Sequence, residues 1–238
     1  MITIFKTHYQ VAKNITLLGI LITGLLSAII GVIAFFGQNM GTFVISADGD
    51  SYTNGIILSE TEDFSVSSPR LLVDPIHDSS PITYANIKIE EAKATDGNYY
   101  DSDNFTYIAY TFYVANNGET IVDVEYKMNF TEITKGIDGA IRIMLIVDDE
   151  DETIYMKEDA NGISPFDDTP LDEVENFNSE LNVCTKEFTN FRPDNIKKFT
   201  MIVWLEGNDA DCTDEIQGGN MKMEMLFNIT SAKASDGE

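Results

Sequence analysis

Histidine, cysteine and tryptophan are nearly absent from this chain: two, two and one in 238 residues. A structural zinc site takes four Cys or His ligands and would consume every one available. A zincin needs two histidines one helical turn apart with a glutamate between them. His8 and His77 stand far apart, which excludes that chemistry. His77 is also the only base an extracellular Ser-His-Asp site could use. Ser79 and Ser80 lie near it, but no Gly-x-Ser-x-Gly elbow is present. Positive charge is scarce too, with 15 Lys and Arg against 40 Asp and Glu and a formal net charge of −25. Recognition of nucleic acid through its phosphates needs a basic face, so that class is excluded. What is abundant is apolar and aromatic: 43% hydrophobic residues and 11% Phe, Trp and Tyr. That is too much for a disordered acidic chain.

Charge is distributed very unevenly. No charged residue occurs from Asn14 to Ala47. Within that stretch Ile15 to Phe36 is almost wholly apolar, broken only by the small hydroxyls Thr16, Thr23 and Ser27. About 20 such residues cross a hydrocarbon core as a helix, so residues 15–36 are expected to span a membrane. Lys6 and Lys13 precede the run and Asp48 and Asp50 follow it. The positive-inside rule then puts residues 1–14 in the cytoplasm and the rest of the chain outside. Of the 15 basic residues two precede the run, so the exported part carries 13 − 40 = −27. The run is longer than a signal-peptide core and lacks an Ala-x-Ala ending, which favours a retained signal anchor over secretion after cleavage.

Residues 37–85 read as a lead-in of short strands and loops, with Thr42–Ser46 and Gly55–Leu58 as strands around the turn-rich DGDSYTNG. Residues 86–230 read as the sandwich core, and 231–238 as a polar tail. Asn86–Ala92 alternates, as does Thr120–Phe130. Phe105–Ala115 is β-branched and aromatic, and Asn116–Glu119 after it has the composition of a hairpin turn. Ala140–Val147 is a continuous apolar run for a central strand. Asp148–Glu152 is an acidic turn leading back through Thr153–Met156. Phe199–Leu205 and Met221–Ile229 supply two more strands, about nine in all. One helix is predicted over Pro170–Leu181. Thr169, Pro170 and Asp172 resemble a capping arrangement, and Leu171, Val174, Phe177 and Leu181 recur at helical spacing. The expectation is a mainly β protein: an antiparallel, jelly-roll-like β-sandwich with one short helix, preceded by an N-terminal transmembrane helix.

The stretch Met201–Gly219, MIVWLEGNDADCTDEIQGG, resembles a C-terminal motif of exported β-rich proteins of Gram-positive bacteria. The layout of one N-terminal apolar helix, a turn-rich stretch and a sandwich is similar to the camelysin/TasA-like group. That resemblance implies a biofilm-fibre subunit or another cell-surface protein; some members have been described as proteases.

Residue by residue, no catalytic centre is singled out, and no enzyme is expected. A pair of carboxylates for glycoside hydrolysis could hide among 40 acids, but none is distinguished. Calcium is the most physical of the ligand readings. It would draw on Asp209, Asp211 and Asp214, although a solvated acidic turn explains the same residues. The loops 96–104 and 148–152 offer similar oxygens, none with EF-hand spacing. Cys184 and Cys212, both outside the membrane, are expected to pair as a disulfide closing a loop of about 28 residues. Asn104, Asn129 and Asn228 begin glycosylation-type triplets, which carry no meaning in a bacterium. Phe43, Val44 and Ile45 form an uncharged segment of high β propensity. It is either the first strand of its own sandwich or a strand donated to a neighbouring copy. The expected partners are therefore the membrane, through the N-terminal helix, and further copies of the chain. No small-molecule ligand is identified.

Overall fold

Alternation of buried and half-buried side chains along Thr120–Ile133 marks a strand with one face in a core and one in solvent. Val122, Val124, Tyr126, Met128 and Phe130 point inward, while Asp123, Glu125 and Lys127 lie between them on the other side. Ile108–Asn116, Ile141–Val147 and Ile196–Leu205 are instead buried almost throughout, which requires cover on both faces. A computed structural model of the protein shows what supplies it. The structure describes residues 43–76, 79–103, 105–158 and 166–234. These fall within the unit Gly41–Glu238. The membrane helix expected over 15–36 lies outside the described residues, as do His8, His77 and Asn104. Among the described residues no helix is long and apolar enough to cross a membrane.

Thirteen strands are described: β1 (Phe43–Ala47), β2 (Ile56–Ser59), β3 (Ser67–Ser68), β4 (Arg70–Val73), β5 (Gly97–Asn98), β6 (Ile108–Asn116), β7 (Thr120–Ile133), β8 (Ile141–Val147), β9 (Asp151–Met156), β10 (Val174–Asn176), β11 (Asn182–Phe191), β12 (Ile196–Leu205) and β13 (Met221–Ala234). One sheet has the order β11-β7-β13-β1-β4. The other has the order β10-β9-β8-β12-β6-β2-β3, with β5 also paired to β6. Their facing sides share one apolar core. At its centre Phe112 of β6 stacks on Phe199 of β12 at 5.3 Å. Phe199 meets Phe227 of β13 and Tyr126 of β7 edge-on at 5.4 and 5.5 Å. The mainly β, two-sheet architecture expected from the sequence is therefore present.

A third layer was not foreseen. Asn86–Ala92, read as an alternating strand, is instead a 3₁₀ turn (Tyr84–Asn86) followed by helix α2 (Ile89–Lys93). Helix α1 (Gly49–Thr53) caps the loop after β1. The segment around α2 lies on the outer face of the larger sheet. There Ile82, Ile87, Ala92 and Tyr107 pack on Met144, Ile146, Ile202 and Trp204. Alternation along 86–92 thus reflects a strap with one buried side, not a strand.

The predicted helix over Pro170–Leu181 is absent. A 3₁₀ turn, Leu171–Glu173, leads directly into β10. Pro170 is extended (φ −67°, ψ 100°), and no side chain caps the turn. Val174–Asn176 pair in parallel with Ile154–Met156 on the open edge of β9, satisfying backbone groups that a helix would have bonded internally. Leu171 and Leu181 of the expected apolar stripe remain exposed, while Phe177 packs edge-on against Phe130 at 5.2 Å.

Strand pairing is not purely antiparallel. Besides β9–β10, β1 runs parallel to β13. β1 also pairs antiparallel with β4, so both its edges are hydrogen-bonded within the chain. Phe43 and Ile45 are fully buried. Of the two alternatives for Phe43, Val44 and Ile45, this chain by itself adopts the first: the segment is an interior strand of its own sandwich. The turn at 116–119 is also not a hairpin, because β6 and β7 belong to different sheets. Asn116 shapes this corner by donating to Thr120 O and Phe191 O while accepting from Gly118 N. Gly55 (φ 103°) packs so closely there that a Cβ would lie 2.2 Å from Gly118 N. The acidic turn at 148–149 does form a hairpin. Asp148 and Asp149 both have positive φ, and Lys197 and Lys198 of β12 pair with their carboxylates.

Candidate functional site

The densest group of buried polar side chains lies where the outer face of the larger sheet meets the strap. Trp204 of β12 stands directly beside Arg142 of β8. Alternation turns both outward, away from the aromatic core. Arg142 is only 1% exposed. Its Nη2 donates to Asp167 Oδ2 at 2.8 Å and to Asp209 Oδ2 at 2.5 Å, and both acids are buried. Its Nε has no hydrogen-bond partner among the described residues.

Glu206, just after β12, is fully buried and receives three N–H donors. Trp204 Nε1 and Tyr84 N reach Oε2 at 3.0 and 3.1 Å, and Asn208 N reaches Oε1 at 3.1 Å. Asp168 Oδ2 accepts from Ala85 N at 3.2 Å, and Asp167 Oδ1 accepts from Thr169 N at 2.9 Å. Asn208 Nδ2 donates to Phe166 O at 2.6 Å. Backbone bonds from Ile82 to Leu205 and from Gly207 to Ile82 draw the strap onto the end of β12. Three stretches distant in sequence, 82–86, 166–169 and 204–209, are thus tied together over Arg142.

The electrostatics are lopsided. Burial pushes the Glu206 carboxyl upward, and Asp167 and Asp168 push it further. Burial alone would also raise Asp167. The Thr169 side chain and backbone and the Arg142 charge outweigh it and hold Asp167 below the ordinary carboxylate range. Carboxylate oxygens of Asp167, Asp168 and Glu206 lie within 4.8 Å of one another.

The calcium candidates taken from the sequence do not gather. Asp209 is committed to Arg142. Asp211 lies against Gly139. Asp214 begins a 3₁₀ turn, Asp214–Ile216, and lines a separate cavity. The triad that does converge joins two residues that precede the expected helix to one just after a strand, and of the three only Glu206 lies in the Met201–Gly219 stretch.

The cysteines do not pair either. Both thiols are free. Cys184 is buried on β11 beside Tyr155, where desolvation pushes its thiol up to about 11. Cys212 is half-buried in the loop after β12, its thiol raised by burial and by Asp209 and Glu206. It lines a cavity of about 610 Å³ at one end of the sandwich, with Ile108, Ile141, Val203, Leu205 and Ile216.

No family model matches the sequence, and no curated protein matches it. Among solved structures, a β-glucosidase from Kluyveromyces marxianus in complex with glucose aligns at 10% identity with a TM-score of 0.26. The alignment covers 72% of this chain and spans only 15% of the length of that one. A likeness this weak carries no argument about fold or activity.

Proposed function

We propose that this chain is a non-catalytic surface protein: an extracellular β-sandwich of jelly-roll type, anchored by the apolar helix expected over 15–36, with a structural or adhesive role. The observation that carries this reading is the division of charge along the chain. A stretch without any charge, Asn14–Ala47, is followed by sequence that holds all 40 acids. The way the acids are used supports it. Tyr99, Tyr107, Tyr110 and Tyr113 donate their hydroxyls to Glu91, Asp101, Glu60 and Asp96. Tyr100 does the same for Asp74. Carboxylates so engaged hold the strap and loops to the sheet. The resemblance of Met201–Gly219 to camelysin/TasA-like proteins favours the same role, including assembly of copies into fibres.

The test is topological. Protease added to intact cells should remove the sandwich and leave a short membrane-protected stub containing residues 1–36. A mature protein that begins at or after Phe35 would replace the anchor with a cleaved signal. A sandwich that resists external protease until the cells are lysed would overturn export itself.

A further inference from the structure

We propose that Asp167, Asp168 and Glu206, with the Thr169 hydroxyl, form a binding site for one divalent cation, calcium. The three carboxylates come from two separate loops, yet their oxygens lie within 4.8 Å of one another, a spread matched by Ca–O distances of about 2.4 Å to opposite ligands. Arg142 pairs with Asp167 and Asp209; Asp168 and Glu206 have no ion-pair partner among the described residues.

Three N–H groups are aimed at the Glu206 carboxyl oxygens. Trp204 Nε1, Tyr84 N and Asn208 N all donate to it, so these contacts favour a carboxylate acceptor over an acid that must itself donate. A second observation points to a ligand. Thr169 is only 4% exposed, and its hydroxyl, which lies beside the Asp167 carboxylate, makes no hydrogen bond of normal geometry to any described residue. A buried hydroxyl without a partner is rare, and a cation seated between the carboxylates would use its lone pair. Asp168 is exposed and opens the site to solvent. The donors are all oxygen, which suits a hard cation over zinc or copper. Magnesium usually keeps several waters and takes only one or two carboxylates, whereas calcium accepts many oxygens in a flexible geometry, so three carboxylates and a hydroxyl favour calcium. Such an ion would lock the 166–169 loop to the end of β12.

Trp204 provides the readout. It is the sole tryptophan, and its Nε1 lies 3.0 Å from Glu206 Oε2, so light absorbed there can pass to terbium bound in place of calcium. Full-chain protein stripped with EGTA is titrated with terbium under excitation selective for tryptophan. The expected result is saturable sensitised emission at one site per chain, displaced by calcium and not by a large excess of sodium. Asp168→Asn should weaken calcium at least about tenfold without changing the melting temperature measured in EGTA. Should that variant melt lower in EGTA, Thr169→Val, which keeps every charge, decides by weakening calcium several-fold. No saturable emission, emission removed by sodium chloride, or emission that survives both substitutions would overturn the site.

Discussion

Replacing Arg142 with methionine removes the only positive charge that, among the described residues, pairs with two buried acids. Arg142, Asp167 and Asp209 have side chains no more than 2% exposed, with contacts of 2.8 and 2.5 Å. Their attraction offsets a large desolvation cost, so the pair as a whole adds little, but breaking it strands the acids. Removal of one partner from a buried ion pair costs about 3–5 kcal/mol. For a domain of this size each kcal/mol lowers the melting temperature by about 2–4 °C, giving a fall of about 6–20 °C. Methionine preserves most of the packing beside Trp204, which separates the charge effect from a cavity. The pH dependence provides the sharper criterion. In the native protein Asp167 titrates below its unfolded value, so the stability it contributes is present above the ordinary carboxylate range and is lost as pH falls through the lowered value. In the variant, burial of Asp167 lacks the Arg142 charge that opposes it, and acid relieves the variant by protonating the stranded groups. The gap between the two proteins should therefore narrow as pH is lowered from neutral toward 4. Circular-dichroism melts across that range measure it. A loss under about 1 kcal/mol, or a gap that widens in acid, would refute the account of a charge-compensated buried cluster.

Two further outcomes follow from the packing. Protein purified without reductant should show two free thiols on denaturation. Cys212 should react first with maleimide in the native state, because Cys184 is buried and its thiol is pushed up to about 11; a peptide linking the two cysteines in a mass spectrum would contradict this. Ile45→Ala, at a side chain with no exposure between the sheets, should cost about 2–5 kcal/mol in urea titration. Val44→Lys, half-buried on the other face opposite Glu224, should change stability by about 0.5 kcal/mol or less. Equal losses at the two positions would show that β1 is not seated in this register.

Periodicity was legible wherever one face of a strand meets water. Thr120–Phe130 alternates because its sheet is solvated on one side, and the sequence alone identified β7. The continuous apolar runs of β8 and β12 were equally readable, since burial on both faces leaves no room for polar residues. The acidic hairpin at Asp148 and Asp149 was marked by its composition. Where local patterns are shared by more than one structure, tertiary contacts decided. Alternation over 86–92 suits a strand or a strap, and the outer face of β8 and β12 captured it as a strap. Helical spacing over 170–181 lost to the open edge of β9, whose unpaired backbone groups took Val174–Asn176 in parallel. The candidate site was the least readable part. Acidic residues clustered at 209–214 point in different directions once folded, whereas Asp167 and Asp168 meet Glu206 only because the strap and β12 bring distant loops together. Composition determined that this would be an acidic β protein with little histidine or cysteine and carboxylates in large excess over basic groups. Which of those carboxylates face one another was decided by topology, because a loop's neighbours in space depend on strand order and not on its own residues.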